Sequence, residues 1–145
     1  MAKQDPDLTD GLFQLSFVLQ SRLTRIAGEH ELSVIQVRLL GILRDREPGM
    51  LELARYLELE KSSLSGLVDR AEKRGLVERI PSPDDRRSAT IRVTPRGRRL
   101  SRAIEDAVRA DIAALVESLP DAEQKRLANL VWRVLPVVGS LASEP

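Results

Sequence analysis

The chain has 145 residues, 42% of them hydrophobic, 31% charged and only 3% aromatic; that suits one domain burying roughly 68–70% of its unfolded surface and excludes a disordered tail. It contains no cysteine and a single histidine, which excludes disulfides, thiolate metal sites, iron–sulfur clusters and sensing by thiol oxidation. The net charge of +1 is an average over a basic middle, residues 55–102 with 13 Lys/Arg against 7 Asp/Glu, and an acidic remainder with 10 against 15.

A basic centre between acidic ends fits a polyanion-binding face, and an unevenly charged solvated surface has the same composition. Phe13, Phe17, Tyr56 and Trp132 are the whole aromatic set, so the core must come from Leu, Val, Ile and Ala, which suits packed helices better than a β-sandwich. Apolar stretches fall far short of the ~18 residues of a membrane helix, and the opening MAKQDPDLTD lacks the apolar core of a signal peptide. A cytoplasmic location with no membrane contact is expected.

Leu8, Leu12, Leu15, Leu19 and Ile26 form one helical stripe, predicting a long amphipathic helix from Leu8 to about Ala27, ended by Gly28. Phe13, Phe17, Val18 and Leu23 lie off that stripe, as expected of a helix that packs on its own domain and on a second subunit. Ser33 and Gln36 make an S-x-x-Q capping box that opens a second helix, closed by Glu47-Pro48-Gly49. A short helix follows from Leu51 to about Leu57. Another runs from about Lys61 to Arg74, with Gly75 placed for a left-handed end. Its Leu64, Leu67, Val68 and Ala71 share a buried face, leaving Ser62, Ser63, Ser65, Gly66, Asp69, Arg70 and Lys73 outside.

The period then changes. Leu76 to Ile80 and Ala89 to Val93 read as two short strands of a hairpin joined by the polar loop PSPDDRRS. Thr94-Pro95 caps a further helix striped by Leu100, Ile104, Val108, Ile112, Leu115 and Leu119. Pro120 separates it from a last helix through Leu127, Leu130, Val131, Val134 and Leu135, which Pro136 breaks or kinks.

Helix, turn, helix and hairpin in that order is a winged helix-turn-helix, whose second helix enters the DNA major groove while the hairpin reaches the neighbouring groove. The expected fold class is therefore mainly α with a small β-hairpin wing. Lys61, Ser62, Ser63, Ser65, Arg70 and Lys73 offer donors to phosphates and base edges, and Arg86 and Arg87 do so at the hairpin tip. Residues 79–102 carry eight Arg and two Asp.

From about Leu32 to Leu100 the sequence resembles the MarR family of dimeric bacterial transcriptional regulators: LSVIQVRLLGIL matches its second helix, ELARYLEL its third, KSSLSGLVDRAEKRGLVER its recognition helix and first wing strand, and SPDDRRSATIRVTPRG its wing. The resemblance implies a DNA-binding lobe over 33–94 within a single domain 1–145, flanked by dimerisation helices over 7–30 and 95–140. It implies a homodimer that binds a palindromic duplex operator and acts as a repressor. It makes Asp85-Arg86-Arg87 a D-x-R element whose Arg enters the minor groove and whose Asp orients it. It also implies a crevice for a small aromatic or anionic effector between the dimerisation helices and the lobe, with Arg25, His30 and Arg38 as candidate anion holders. Three positions depart from the family pattern: Glu60 where a small capping residue is usual, Gly66 inside the recognition helix, and Pro136 near the end.

Enzymatic readings find no support. The glycines form neither G-x-G-x-x-G nor G-x-x-x-x-G-K-[ST], His30-Glu31 lacks the second His of a metalloprotease, and no Ser/His/Asp set can be assembled. No catalytic residue, metal or cofactor is expected. A single-strand binder would want aromatic platforms, and the basic region has only Tyr56. An architectural DNA protein without ligand control is the remaining alternative.

Overall fold

A computed structural model of the chain describes residues 5–83 and 88–135. Its elements are α1 (Leu8–Glu29), α2 (Val34–Leu43), α3 (Met50–Leu57), α4 (Lys61–Lys73), β1 (Val77–Pro81), β2 (Ala89–Val93), α5 (Pro95–Leu115) and α6 (Asp121–Val134). The architecture is mainly helical with one antiparallel hairpin, in the winged helix-turn-helix order that the sequence predicts.

Most helix ends follow from local chemistry. Ser33 Oγ accepts from Gln36 N at 3.3 Å while Gln36 Oε1 accepts from Ser33 N at 2.9 Å, completing the capping box. Thr94 Oγ1 accepts from Gly97 N at 3.0 Å, with Pro95 at the first helical position. Gly75 ends α4 at φ 72°; Gly75 N donates to Glu72 O at 2.9 Å and Leu76 N to Ala71 O at 3.0 Å, so both orphan carbonyls are satisfied.

Two ends differ from the sequence reading. Gly28 lies inside α1, and the left-handed residue that stops this helix is Glu31 at φ 57°. Glu58 at φ 53° stops α3 in the same way. A non-glycine residue there costs on the order of 1 kcal/mol. The next residues, buried Leu32 and half-buried Leu59, hold the turns in place with bonds to Ala27 O and Ala54 O. Glu47-Pro48-Gly49 lies beyond the end of α2, which stops at Leu43. Pro48 O instead accepts from Ile91 N at 2.8 Å and Gly49 bridges Thr90, so this segment lines the second edge of β2 before Gly49 caps α3.

The core gathers Leu39, Leu40 and Leu43 of α2, Leu53 and Leu57 of α3, the apolar face of α4, and Leu76, Val77, Ile91 and Val93 around the hairpin. From α1 only Ile26 and Ala27 are buried, and from α5 only Gly97 and Ile104. Within one subunit the α1 stripe is exposed at Leu8, Leu12 and Leu15, and α6 buries none of its residues. Both end helices extend beyond the subunit core.

Candidate nucleic-acid interface

Helix α4 is fixed by its apolar face: Leu64, Leu67, Val68 and Ala71 are all buried. Helical geometry then turns Lys61, Ser62, Ser63, Arg70 and Lys73 to solvent, with Ser65 half-buried beside them. Gly66 has a local use: a Cβ there would stand 3.2 Å from Arg70 Nη1, so the glycine gives the Arg70 side chain room to lie along the helix. Glu60 caps the helix without a side-chain hydrogen bond, leaving its carboxylate near the positive end of the dipole.

The same surface carries Asp69 and Glu72, which taken alone would repel a phosphate. Both are occupied. Arg79 of β1 donates from Nη2 to Asp69 Oδ1 at 2.6 Å and from Nη1 to Glu72 Oε1 at 2.8 Å. The Asp69 hydrogen bond leads the causes that raise the Arg79 pKa, against the lowering effect of its partial burial. A single surface ion pair contributes about 0–1 kcal/mol, but this fork joins the recognition-type helix to the hairpin at two points. On the hairpin, Glu78 and Arg92 are cross-strand partners, with Arg92 Nε 2.8 Å from Glu78 Oε1. Two of the eight arginines between 79 and 102 therefore spend their charge inside the protein. Lys61, Arg70 and Lys73 make no ion pair among the described residues and give α4 its outward charge.

Sequence reading missed the roles of Asp69, Glu72, Arg79 and Arg92. The signal was present: Asp69 and Glu72 are three apart on one helical face, and Glu78 and Arg92 stand opposite in the antiparallel register. Asp85, Arg86 and Arg87 lie outside the described residues, as does Pro136.

A second link runs from α4 to α1. Arg74 donates to Glu31 O at 2.6 Å and to His30 O at 3.2 Å, satisfying carbonyls at the end of the long helix.

The structure places the three candidate anion holders at separate junctions. Arg25 donates to Asp111 Oδ1 of α5 at 2.9 Å and to Glu29 at 3.3 Å, and Arg22 reaches the same Asp111 at 2.9 Å. The hydrogen bond from Arg22 is the leading cause that holds the Asp111 carboxyl below the ordinary carboxylate pKa. Arg38 donates to Tyr56 O at 3.1 Å, capping α3. His30 is the C-cap of α1.

Two adjoining cavities lie along α5, one of about 240 Å³ between α2, β2 and α5 and one of about 250 Å³ between α1, α2 and α5. Neither is lined by Arg25, His30 or Arg38. Arg44, Arg98, Arg102, Ser101 and Glu105 supply the polar groups, and Leu23, Val37, Leu40, Ile104 and Val108 the apolar ones. Among the described residues no group of His, Asp or Glu is arranged to hold a metal, and no helix is long and apolar enough to cross a membrane.

Comparison with known proteins bears on the same lobe. Residues 30–88 match the family model described as MarR family. The HTH-type transcriptional regulator PecS of Dickeya dadantii is 28% identical over 138 residues, covering 90% of this chain and 81% of its own. The multiple antibiotic resistance protein MarR of Escherichia coli is 30% identical over 86 residues, 59% of this chain and 60% of its own. The relatives at 30% identity or more are matched over only 52% to 60% of their length. In three dimensions the apo crystal structure of MarR from E. coli superposes with a TM-score of 0.80 at 23% identity, covering 92% of this chain and all of that one. The crystal structure of NadR in complex with 4-hydroxyphenylacetate gives 0.69 at 24% identity, over 92% and 96%. The superpositions establish the fold, and the sequence likeness to the MarR family is carried by residues 30–88, the helix-turn-helix and first wing strand.

Proposed function

We propose that the chain is a regulator that binds duplex DNA as a homodimer, represses from a palindromic operator, and is released by a small-molecule effector. The carrying observation is the outward face of α4, where Lys61, Ser62, Ser63, Arg70 and Lys73 are exposed while the acids of that helix are taken up by Arg79. That arrangement offers hydroxyls and cations to a groove without the repulsion that Asp69 and Glu72 would otherwise add. Ser65 and the segment Asp85-Arg86-Arg87 complete the proposed contact, with an arginine of the segment in the minor groove. Exposed apolar residues on α1 and α6 support the dimer, since a two-fold pair of lobes sets two recognition helices about 34–36 Å apart. The ligand seen in NadR supports an effector, and relatives named as transcriptional regulators, PecS among them, support a role without catalysis.

Titration of a labelled promoter fragment from upstream of the chain's own gene tests this, against a scrambled duplex and over 50–200 mM salt. Specific binding with a steep salt dependence is expected, together with protection of a two-fold symmetric site. Equal affinity for both duplexes would replace this reading with an architectural DNA protein.

A further inference from the structure

Gly66 lies in the interior of α4, where glycine is less favourable than alanine, yet neither a positive φ nor a close backbone calls for it. Among the described residues, the one atom that a Cβ there would meet within 4 Å is Arg70 Nη1, at 3.2 Å. Helical spacing puts Gly66 near the middle of the exposed face, with Ser62 and Ser63 one turn before it and Asp69 and Arg70 one turn after. The Arg70 side chain runs back along the helix, so its guanidinium rests over Gly66. That carries the cation toward the N-terminal half of α4, the half that meets base edges when such a helix enters a major groove. Arg70 makes no ion pair among the described residues, and the neighbouring Asp69 and Glu72 are both taken by Arg79.

We propose that Arg70 reads a guanine in each half-site through its major-groove O6 and N7, and that Gly66 sets the reach of that contact. The inference rests on the proposed DNA-binding function and specifies what α4 recognises. Two features favour a base over a phosphate. The guanidinium is a planar fork that matches the paired acceptors of guanine. Its place at the middle of the exposed face faces the floor of a groove, whereas phosphates line the walls, nearer to side chains at the flank of the helix such as Lys61. A Cβ at position 66 displaces the guanidinium by a few tenths of an ångström. That spoils a pair of parallel hydrogen bonds to a base more than it spoils a single bond to a phosphate, which tolerates many approaches. Gly66 is thus a positioning residue that acts through Arg70.

Selection by the full chain from a pool of duplexes with randomised centres, followed by titration of the selected duplex and of versions with single base pairs replaced, tests this. The unaltered protein is expected to select a two-fold symmetric sequence with a guanine in each half whose replacement by adenine costs about tenfold in affinity. Replacement of the same guanine by 7-deazaguanine, which lacks the N7 acceptor, should also weaken binding. In Arg70→Ala that one preference should vanish while the others persist. In Gly66→Ala it should fall about fivefold while thermal unfolding shifts upward, because alanine is the better helix former; a damaged fold gives the opposite shift. Adding Gly66→Ala to Arg70→Ala should leave the base preferences of Arg70→Ala unchanged. An Arg70→Ala protein that binds every sequence more weakly by one factor, with a shallower salt dependence, assigns Arg70 to a phosphate and overturns the proposal. A Gly66→Ala protein with its full guanine preference overturns it too. If the unaltered chain selects no common sequence, the operator-binding function falls with it, whereas a common sequence whose preferences survive in Arg70→Ala removes this inference alone.

Discussion

At the scale of single residues, close approach of backbones sets the strictest demands. Gly97, in the first turn of α5, lies under the start of the hairpin: a Cβ there would stand 2.1 Å from Leu76 O and 2.8 Å from Val93 Cγ2. Neither neighbour is free to move. Leu76 O already accepts from Thr94 N at 3.0 Å, and Thr94 Oγ1 donates to Gly75 O at 2.6 Å, so the base of the hairpin and the start of α5 form one stitched joint. Gly97→Ala is expected to lower stability by about 1–3 kcal/mol, the range for overpacking a close-packed contact, despite the better helix propensity of alanine. Gly28, exposed within α1 with open space around its Cα, is the control. Gly28→Ala should be neutral or stabilising by up to about 1 kcal/mol. Denaturant unfolding of the two variants checks the contrast; equal stabilities would mean that the joint yields.

At the scale of elements, the Arg79 fork carries two effects that mutation can separate. It braces the hairpin against α4, and it neutralises Asp69 and Glu72 on the face proposed to meet DNA. Arg79→Ala is expected to weaken duplex binding about tenfold, roughly 1.4 kcal/mol, by leaving two carboxylates beside the phosphates. If neutralisation dominates, adding Asp69→Asn and Glu72→Gln to Arg79→Ala restores most of the affinity, measured by fluorescence anisotropy. A triple variant as weak as Arg79→Ala assigns the effect to bracing. The elements themselves were legible because helix stripes, the Ser33–Gln36 box, Gly75 and Thr94-Pro95 are local signals that the fold does not override. The end at Glu31 was not legible, since the bond and packing of Leu32 decide it and no turn-forming residue marks it. The outward set on α4 could be read from one helix. The lining of the cavities beside α5, with Arg44, Arg98 and Arg102, joins residues far apart in the chain and so was not legible from one helix.

At the scale of the whole molecule, the surplus apolar surface and the basic face belong to one argument. Phe17 is 63% exposed and Trp132 75%, on helices that extend beyond the subunit core. Exposed apolar clusters are the kind of surface that association uses, and Phe17 is among the residues of α1 that fall off its main stripe. Under the proposed function a single lobe would offer Lys61, Arg70 and Lys73 to one half-site; linking two lobes raises affinity by about 10²–10⁴ through effective concentration alone. Phe17→Glu places a charge in the α1 cluster, where burial against a second copy would leave it desolvated and unpaired. The variant should sediment at half the mass of the unaltered protein. Its affinity for the promoter fragment should fall by at least about a hundredfold. Its salt dependence should halve as well, because each lobe then releases only its own counterions. Core residues of the lobe lie far along the chain from Phe17, so the thermal transition of the lobe is expected to persist. A Phe17→Glu protein that keeps its mass and its salt slope would place the two-fold contact elsewhere than on α1.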